Sequence, residues 1–416
     1  MLPRVAIARP NAAVTADVEQ YRLLVGDELM DEVATLAREL KRARICHINS
    51  TAYGGGVAEL LSRYLPFLQG VGLSAEWRLI HGEAEFFTIT KAFHNALQGA
   101  NYDLQEPERK TYLQVNEQSA RLLESDYDVI IVHDPQPAAI RHFTGARNAK
   151  WIWRCHIDSS APDEGVRKFL VPLIHEYDAF VFTMPAFLLP GLDRTRARFI
   201  APAIDAFATK NIDLPLGLCR HAIADSGVDV NRPLLLQVAR FDPWKDPLGV
   251  IEAYRLVKRE FPNVQLVLIG AMAGDDPEGW QLLDRVQEES AHDADLFVFT
   301  NVAGVGNMEV NVFQRGCDVV IQKSIREGFG LVVAEALWKE KPIVAGRAGG
   351  IPMQFPEGFD RYLTNNVEDC AAQTIHLLHH LGERGQFGRA GRERVRREFL
   401  LPRLARDELR LIRDIV

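Results

Sequence analysis

Short apolar runs alternate with amphipathic helical stretches twice along this chain, and this alternation constrains the fold more than any other feature. In the first block the runs occupy residues 45–48, 75–80, 129–132, 151–153, 179–182 and 199–200. In the second block they occupy residues 234–238, 265–269, 296–300, 319–322 and 342–345. Strands that alternate with helices build parallel sheets. The sequence therefore predicts an α/β protein with two doubly wound, Rossmann-like domains.

A polar, helix-breaking stretch at 205–232 separates the two blocks and sets the expected domain boundary. We predict an N-terminal domain over residues 1–213 and a C-terminal domain over residues 214–396. We expect the last helix, 397–416, to pack back on the first domain. A length of 416 residues suits two domains, and a cleft between two domains is a common place for a ligand site.

Composition excludes several classes of protein. Lys and Arg total 48 against 56 for Asp and Glu, and the net charge of −8 provides no general attraction to nucleic acid. No segment reaches the roughly 18 consecutive apolar residues of a membrane span, and no signal peptide is evident. Five scattered cysteines without a CxxC pair are typical of reduced thiols. We therefore expect a cytoplasmic protein with small-molecule substrates and neither nucleic-acid nor membrane partners; a homodimer stays open.

Two basic residues follow the first strand of the second block. Arg240 and Lys245 lie in the segment Arg-Phe-Asp-Pro-Trp-Lys at 240–245, which we predict at the carboxyl edge of the sheet, where open α/β folds bind ligands. Arg can hold a diphosphate as a bidentate fork and Lys as a point charge, and both would stabilise the negative charge of a departing phosphate. If this motif stood alone, two exposed basic side chains would be the better interpretation.

Two carboxylates and a glycine turn are predicted at the same edge. Glu327 lies in a loop formed by glycines, and Glu335 lies within the helix that follows. Glu335 is too deep in that helix to act on its dipole, and it could instead accept hydrogen bonds from a ribose diol. The glycine turn at 346–350 follows the next strand. Three such elements in one domain favour a ligand site over chance.

The first domain also carries candidate residues after its strands. Gly54, Gly55 and Gly56 lie between a strand and a helix, where N–H groups and the helix dipole form an anion site, although a tight turn would look the same. Asp134 and His156 each follow a strand. A histidine at a strand end is more often structural than catalytic. Only the expected position of His156 at the sheet edge favours a functional role.

The sequence predicts no essential metal site. The Asp-X-Asp patterns at 126–128 and 293–295 precede their strands, whereas the sites of α/β folds follow strands, and we interpret both patterns as solvated turns. The histidines at 376, 379 and 380 have no cysteine or carboxylate at a suitable spacing. Mg²⁺ is compatible with these motifs, but none of them requires it.

Taken together, the motifs resemble those of the retaining GT-B glycosyltransferases of family 4. The segments that carry this resemblance are 240–245, Glu-Gly-Phe-Gly-Leu-Val-Val-Ala-Glu at 327–335, and the glycines at 54–56. Further segments are similar to the trehalose glycosyltransferring synthases: 47–59, 85–99, His-Asp-Pro-Gln-Pro at 133–137, Trp-Arg-Cys-His-Ile-Asp at 153–158, and 275–280. The resemblance covers most of the chain from about residue 17 onward.

The resemblance implies a GT-B fold, in which two Rossmann-like domains with parallel sheets face a central cleft. It implies transfer of glucose from a nucleoside diphosphate glucose to free glucose, which gives α,α-trehalose with retention of the donor's anomeric configuration. The donor would be UDP-, ADP- or GDP-glucose, and no cofactor would be essential. The departing phosphate would deprotonate the acceptor, so that no protein nucleophile is required; the sequence offers none with an attendant base.

The resemblance also implies roles for individual residues. Arg240 and Lys245 would grip the diphosphate, Glu335 would hold the ribose, and Glu327 would contact the transferred glucose. The implied catalytic residues are Arg240, Lys245, Glu327, His156 and Asp134. The implied donor-binding residues are Gly55, Gly56, Arg240, Lys245, Glu327, Gly328, Phe329, Gly330, Leu331, Glu335, Gly349 and Gly350. The implied acceptor-binding residues are Asp134, His156 and Asp158.

Three other functions remain as alternatives. A retaining trehalose phosphorylase would use inorganic phosphate in place of the nucleotide, but Glu335 would then have no ribose to bind. A non-catalytic sensor of sugar nucleotides would keep the same motifs. A dinucleotide-dependent oxidoreductase would need a G-x-G-x-x-G turn after a strand with an acidic residue about 20 positions on, which is not evident here.

Overall fold

The chain folds into two units, each of which contains a parallel sheet. The computed structural model describes residues 1–6, 12–53, 55–124, 126–145, 148–272 and 277–416. Gly54 and the first two residues of the motif segment 275–280 lie outside the described residues. Unit 1 comprises Met1–Ala203 and Leu400–Val416, and unit 2 comprises Ile204–Phe399. The boundary predicted near residue 213 falls within unit 2.

Unit 1 is built on a sheet whose strands are all parallel. The strands in its described part are β1 (Arg44–Asn49), β2 (Ser74–Leu79), β3 (Val129–His133), β4 (Lys150–Arg154), β5 (Ala179–Phe182) and β6 (Ala197–Phe199). They lie in the order β2-β1-β3-β4-β5-β6. The chain therefore changes its winding direction between β1 and β3. Every residue of β3 and β5 is buried, as expected for strands covered on both faces.

Helices cover this sheet, and local sequence signals explain where several of them begin. The helices that precede residue 203 are α1 (Ala12–Val25), α2 (Asp27–Glu39), α3 (Gly56–Gly70), α4 (Ala84–Leu97), α5 (Glu106–Leu122) and α6 (Glu164–Ile174). Gln105 and Glu108 form a capping box at the start of α5, and the Asp163 side chain accepts a hydrogen bond from the Val166 N–H in α6. Such caps satisfy N–H groups that a first helical turn leaves unpaired.

Unit 2 repeats this architecture. Its described strands are β7 (Leu234–Val238), β8 (Gln265–Gly270), β9 (Leu296–Thr300), β10 (Val319–Gln322), β11 (Ile343–Gly346) and β12 (Leu363–Thr364), and they lie in the order β12-β11-β10-β7-β8-β9. Its helices are α7 (Leu216–Asp225), α8 (Pro247–Glu260), α9 (Pro277–Ser290), α10 (Asn307–Gly316), α11 (Leu331–Trp338), α12 (Val367–His379) and α13 (Leu381–Glu398). All pairings are parallel, with the change in winding direction between β7 and β10. The predicted class of two doubly wound α/β domains is confirmed.

The prediction for the local structure of residues 205–232 is wrong. The stretch at 205–232 was expected to break helices, but α7 forms within it. Cys219 and Ile223 lie four positions apart and are both fully buried, since α7 packs on α10. Two buried side chains on one helical face stabilise the helix by tertiary packing, which outweighs weak local propensity.

The last helix, α14 (Leu401–Ile415), belongs to unit 1 and packs on α2 and α3. Its apolar face is buried. Arg403 donates from Nη2 to the carbonyl oxygens of Ala201 and Pro202, at 2.8 Å each. Helix α13 ends just before this segment, within unit 2. The helix predicted over 397–416 is therefore interrupted at 399–400, where the chain passes from one unit to the other.

Disulfides and membrane-spanning helices are both absent from the part of the chain that the structure describes. The five cysteines are unpaired and buried. None of the described helices combines the length and the apolar character that a membrane crossing requires.

Helix α13 provides a matched test of packing. A Cβ at Gly388 would overlap the backbone carbonyl of Glu340, whereas a Cβ at Gly382 in the same helix meets nothing within 4 Å. We expect Gly388→Ala to lower the free energy of unfolding by roughly 1–3 kcal/mol, because a backbone atom cannot move aside as a side chain can. Gly382→Ala should leave stability unchanged or raise it by up to about 1 kcal/mol. Thermal melting of both variants checks this, and equal melting temperatures would contradict it.

Candidate active site

The candidate residues of unit 2 lie in loops that follow three adjacent strands. Strand β10 pairs in parallel with β7 on one side and with β11 on the other. The loops after these strands carry residues 240–245, 323–330 and 347–350, so the sheet brings all three motifs to one edge. The Ile325 N–H donates to the Trp244 carbonyl at 2.8 Å and ties two of the loops together. This edge includes the change in winding direction, where open α/β sheets bind ligands.

Lys245 and Glu327 form an ion pair at this edge. Lys245 Nζ lies 2.6 Å from Glu327 Oε2, and the Ser324 hydroxyl donates to the same oxygen at 3.2 Å. The Lys245 carbonyl accepts a hydrogen bond from Gln237 Nε2 at 2.9 Å, which holds the lysine turn against β7. Both residues were expected at one edge from the sequence, but their pairing was not. A cation and a carboxylate are thus positioned before a ligand binds.

Arg240 begins the same loop and forms an ion pair within it. Its Nη2 lies 3.1 Å from Asp242 Oδ2, and about a third of its side chain is exposed. Asp242 also accepts a hydrogen bond from the Trp244 N–H at 2.9 Å and so caps the short turn Pro243–Lys245. One carboxylate thus orients both the turn and the guanidinium at the edge.

The loop at 327–330 is shaped by close backbone contacts. Gly330 has φ +83° and precedes α11 as its N-cap, in a region of backbone conformation that favours glycine. A Cβ at Gly350 would lie 2.6 Å from the Gly328 carbonyl oxygen, so Gly350 permits two loops to approach each other. The Phe329 side chain is buried and packs on Phe399 with ring centroids 5.3 Å apart. The Phe329 side chain is therefore part of the packed interior of unit 2.

Glu335 lies one turn inside α11 and is almost fully buried. Its Oε1 lies 3.3 Å from Lys210 Nζ, while its Oε2 has no hydrogen-bond partner among the described residues. Lys339 donates from Nζ to Asn211 Oδ1 at 2.8 Å and to the Glu335 carbonyl at 3.1 Å. Burial lowers the pKa of Lys339 to about 7, although the Glu335 charge opposes this shift. An unpaired buried carboxylate oxygen is costly, and a ligand hydroxyl would satisfy it.

In unit 1, Asp134 follows β3 with an unusual backbone conformation. Its φ is +63°, a value that Asp tolerates better than most residues. Its Oδ1 accepts a hydrogen bond from the His156 N–H at 2.7 Å, and its carbonyl accepts one from Trp153 Nε1 at 2.9 Å. Burial raises the pKa of Asp134 to about 7, against the opposing effects of the His156 hydrogen bond and the Arg154 charge.

His156 ends a line of three histidines that the sequence analysis missed in part. His47 Nδ1 lies 3.0 Å from His133 Nε2, and His133 Nδ1 lies 2.9 Å from His156 Nε2. Neighbouring rings stack with centroids 5.3 Å and 5.2 Å apart. His47 and His133 lie in β1 and β3, which pair directly. The available signal was a histidine beside apolar residues in each strand: His47 between Cys46 and Ile48, and His133 after Val132.

Asp158 and the glycine turn complete the candidates of unit 1. Asp158 Oδ1 accepts hydrogen bonds from the Ser160 N–H at 3.1 Å and the Ser160 hydroxyl at 2.6 Å, so it orders its own loop. Gly55 is the N-cap of α3, with extended backbone and nothing within 4 Å of a Cβ placed on it. Gly56 is the first residue of α3, where helical N–H groups lack intrahelical partners.

The Asp-X-Asp patterns have structural partners. Lys258 Nζ lies 2.6 Å from Asp293 Oδ1 and 2.9 Å from Asp295 Oδ2, and both carboxylates are mostly buried. Our interpretation of 293–295 as a solvated turn is therefore wrong, because both carboxylates of this turn form ion pairs with Lys258. Asp128 Oδ2 accepts a hydrogen bond from the Arg44 N–H at 2.8 Å. Within the described residues, no group of three or more His, Cys, Asp or Glu side chains is arranged to hold a metal ion.

Both halves of the chain match families of known proteins. The family model "Trehalose synthase, N-terminal domain" matches residues 47–189, and the model "Glycosyl transferases group 1" matches residues 220–394. The chain is 48% identical to a trehalose synthase of Rubrobacter xylanophilus over 100% of both chains. It is 42% identical to a trehalose synthase of Thermococcus litoralis, over 92% of this chain and 93% of the relative.

The fold matches solved structures of GT-B glycosyltransferases. An α,α-trehalose-phosphate synthase (UDP-forming) from Burkholderia xenovorans, solved in complex with glucose-6-phosphate, superposes with a TM-score of 0.68 at 17% identity, over 90% of this chain and 100% of that chain. The GT-B architecture expected from the sequence is thereby confirmed. With the full-length similarity to the synthases, these findings show that the chain belongs to the trehalose synthase family and is a glycosyltransferase that makes trehalose.

Proposed function

We propose that this glycosyltransferase transfers glucose from a nucleoside diphosphate glucose to free glucose, and that it retains the anomeric configuration of the donor in α,α-trehalose. Unit 2 supplies the donor-binding edge and unit 1 the acceptor-binding edge in this proposal. The reaction is reversible in principle, because a nucleoside diphosphate can accept the glucose again. The cytoplasmic location and the possible homodimer stay predictions.

The observation that best supports a nucleotide donor is the unsatisfied oxygen of Glu335. Its Oε2 is buried without a hydrogen-bond partner among the described residues, within the helix that follows the loop of Glu327. A ribose diol offers hydroxyl donors of the kind that this oxygen lacks. Inorganic phosphate, the donor-side substrate of a phosphorylase, has no such diol. The site therefore favours a nucleotide over phosphate.

Cations and N–H groups at the same edge suit a diphosphate. Lys245 lies close to Arg240 along the chain, and α11 begins beside their loop with N–H groups that have no intrahelical partner. Cleavage of the glycosyl–phosphate bond builds negative charge on the diphosphate and positive charge on the sugar. Groups held in place by Glu327 and Asp242 stabilise that charge with little reorganisation.

The acceptor edge of unit 1 suits an uncharged sugar. Asp134 and His156 supply a carboxyl group and an imidazole whose pKa values are shifted toward the neutral forms by burial. Arg154, which lies two residues before His156, is buried and paired with Glu408 at 2.9 Å. This arrangement supports glucose rather than a sugar phosphate as the acceptor. A sugar hydroxyl would exchange hydrogen bonds with these groups, while the departing phosphate takes its proton.

A panel assay tests the proposed reaction. UDP-, ADP- and GDP-glucose would each be incubated with glucose or with glucose 6-phosphate, and NMR would identify the linkage of the product. We expect α,α-trehalose with glucose and at least one of the donors. In the reverse direction, trehalose would be incubated with a nucleoside diphosphate or with phosphate. If trehalose is cleaved only when phosphate is present, the enzyme is a phosphorylase and not a synthase.

Removal of either edge cation should slow the reaction strongly. We expect Lys245→Ala and Arg240→Ala to lower turnover by roughly 10²–10³-fold, as for the loss of one oxyanion donor. Lys258→Ala is the matched control, because it also removes a paired lysine of unit 2 but belongs to the Asp293 cluster before β9. Initial rates with saturating donor check this. Turnover close to normal in either variant would show that the substituted residue does not act in the mechanism.

Gly55→Ala separates a ligand contact from a mere turn. The backbone of Gly55 is extended and its surroundings are open, so alanine fits the unliganded fold without strain. We expect an unchanged melting temperature together with a clear rise in KM for the donor, because a methyl group would obstruct close approach of a phosphate or sugar. If KM and turnover both match the unsubstituted enzyme, Gly55 does not face the substrate.

Asp134→Asn should lower turnover and raise the free energy of unfolding. The folded pKa of Asp134, about 7, lies above the ordinary value of 3.8, so folding favours the protonated form and stability falls as pH rises from about 4 to 7. We expect the variant to gain roughly 1–4 kcal/mol at pH 8 and little at pH 4. Turnover at pH 8, above the pKa of Asp134, should fall about tenfold or more, because a neutral amide replaces the carboxylate as hydrogen-bond acceptor. Denaturant unfolding at both pH values, beside kinetics, checks this; a gain that is equal at both pH values would contradict it.

A further inference from the structure

Helix α14 connects to His156 through the interior of unit 1. Glu408 on α14 is buried, and its Oε1 lies 3.8 Å from His47 Nε2. The line then continues from His47 to His133 and from His133 to His156, at 3.0 Å and 2.9 Å between ring nitrogens. His156 is partly exposed, whereas the other two histidines are buried. The line therefore reaches from a helix at the C-terminus to the sheet edge.

The two hydrogen bonds between histidines couple their protonation. A neutral imidazole has one N–H donor and one acceptor nitrogen. Each bond in this line joins Nδ1 of one ring to Nε2 of the next, and each needs one proton. Neutral rings can therefore adopt two patterns, with all three protons on Nε2 or all three on Nδ1. The tautomer at the His47 end fixes the tautomer at the His156 end.

The surroundings keep the three rings neutral. Burial lowers the pKa of His47 to about 4 and the pKa values of His133 and His156 well below the ordinary range. The charged groups that act on the line are Glu408, which raises the pKa of His47, and Arg154, which lowers the pKa of all three. Each ring also resists protonation when its neighbour is charged, as His156 and His47 do for His133.

Glu408 decides between the two patterns. Its Oε2 pairs with Arg154 Nη1 at 2.9 Å, and its Oε1 accepts the Tyr64 hydroxyl at 2.9 Å, so the carboxylate is fixed in place. His47 Nε2 faces this carboxylate and has no hydrogen-bond partner among the described residues. An N–H dipole pointing at a carboxylate is favourable, whereas a lone pair pointing at it is repelled. A proton on His47 Nε2 is therefore preferred.

We propose that Glu408, acting through His47 and His133, holds His156 as the tautomer with Nε2 protonated, so that His156 presents Nδ1 to the substrate as a hydrogen-bond acceptor. Glu408, His47 and His133 are positioning residues in this arrangement. The tautomer is a property of unit 1 alone. Its consequence for catalysis rests on the proposed function, in which a sugar hydroxyl contacts His156.

Glu408→Gln should reverse the proton pattern of the three histidines while keeping a side chain of the same size. Arg154 can only donate, so the oxygen of the glutamine should stay on Arg154, and its NH₂ group should then face His47 Nε2 and Tyr64. The hydroxyl of Tyr64 can rotate to accept, and His47 Nε2 would become an acceptor. The favoured pattern then has protons on Nδ1 in all three rings. Asp407→Asn is the matched control, since Asp407 lies on the same helix but pairs with Arg403 at 3.2 Å.

NMR of protein labelled with ¹⁵N-histidine tests the tautomer without substrate. In the unsubstituted protein at neutral pH we expect the His156 signal, assigned with His156→Asn, to show a protonated Nε2 and an unprotonated Nδ1. Glu408→Gln should shift His156 toward protonated Nδ1, and Asp407→Asn should not. A His156 already protonated on Nδ1, or one that does not respond to Glu408→Gln, overturns the proposal. His133→Phe, which keeps a ring but no ring nitrogen, should abolish the response.

Kinetics test the consequence separately. Glu408→Gln should lower kcat/KM by up to about tenfold, which corresponds to about 1.4 kcal/mol and is within the range of one hydrogen bond. Asp407→Asn should leave kcat/KM unchanged. A shifted tautomer with unchanged kcat/KM would overturn the link to catalysis. A protein that makes no trehalose under any panel condition would refute the proposed function, while the NMR result would still decide the tautomer.

Discussion

Each unit holds an ion pair close to its sheet edge, and the arrangement of the candidate residues depends on these two pairs. Lys245 is fixed by Glu327 in unit 2, and Arg154 is fixed by Glu408 in unit 1. Removal of one partner from a buried pair typically costs roughly 3–5 kcal/mol, because the other charge is left buried alone. Each pair also joins elements far apart in the sequence. The pairs therefore set the positions of their loops and helices before any substrate is present.

The two edges differ in electrostatic character, and the difference matches the two substrates that we propose. The edge of unit 2 offers cations and helical N–H groups, although the chain as a whole carries a net charge of −8. The edge of unit 1 instead favours neutral forms, since burial raises the pKa of Asp134 and lowers that of His156. An anionic donor suits the first edge, and an uncharged sugar suits the second.

The sequence was sufficient for the parts of the fold that depend on periodicity and topology. Runs such as 234–238 and 319–322 coincide with strands because parallel strands buried on both faces are continuously apolar. The residues after those strands then had to meet at one edge, which correctly placed Lys245 beside the loop of Glu327. Helix α7 was missed because its stability comes from Cys219 and Ile223 packing on α10, and a single-sequence pattern does not show such contacts.

The histidine line was beyond sequence reasoning for a different physical reason. His47 lies between Cys46 and Ile48, and His133 follows Val132; these neighbours are buried, so an isolated polar ring there would be costly. Each ring nitrogen that faces a neighbouring ring forms a hydrogen bond with it. The cost of burying the polar rings therefore falls only when all three histidines are present. Two nitrogens remain outside these bonds: His47 Nε2, which faces Glu408, and His156 Nδ1, at the edge. Burial of polar rings in the sheet is thus tolerated, because the line ends at the Glu408 carboxylate on one side and at the partly exposed His156 on the other.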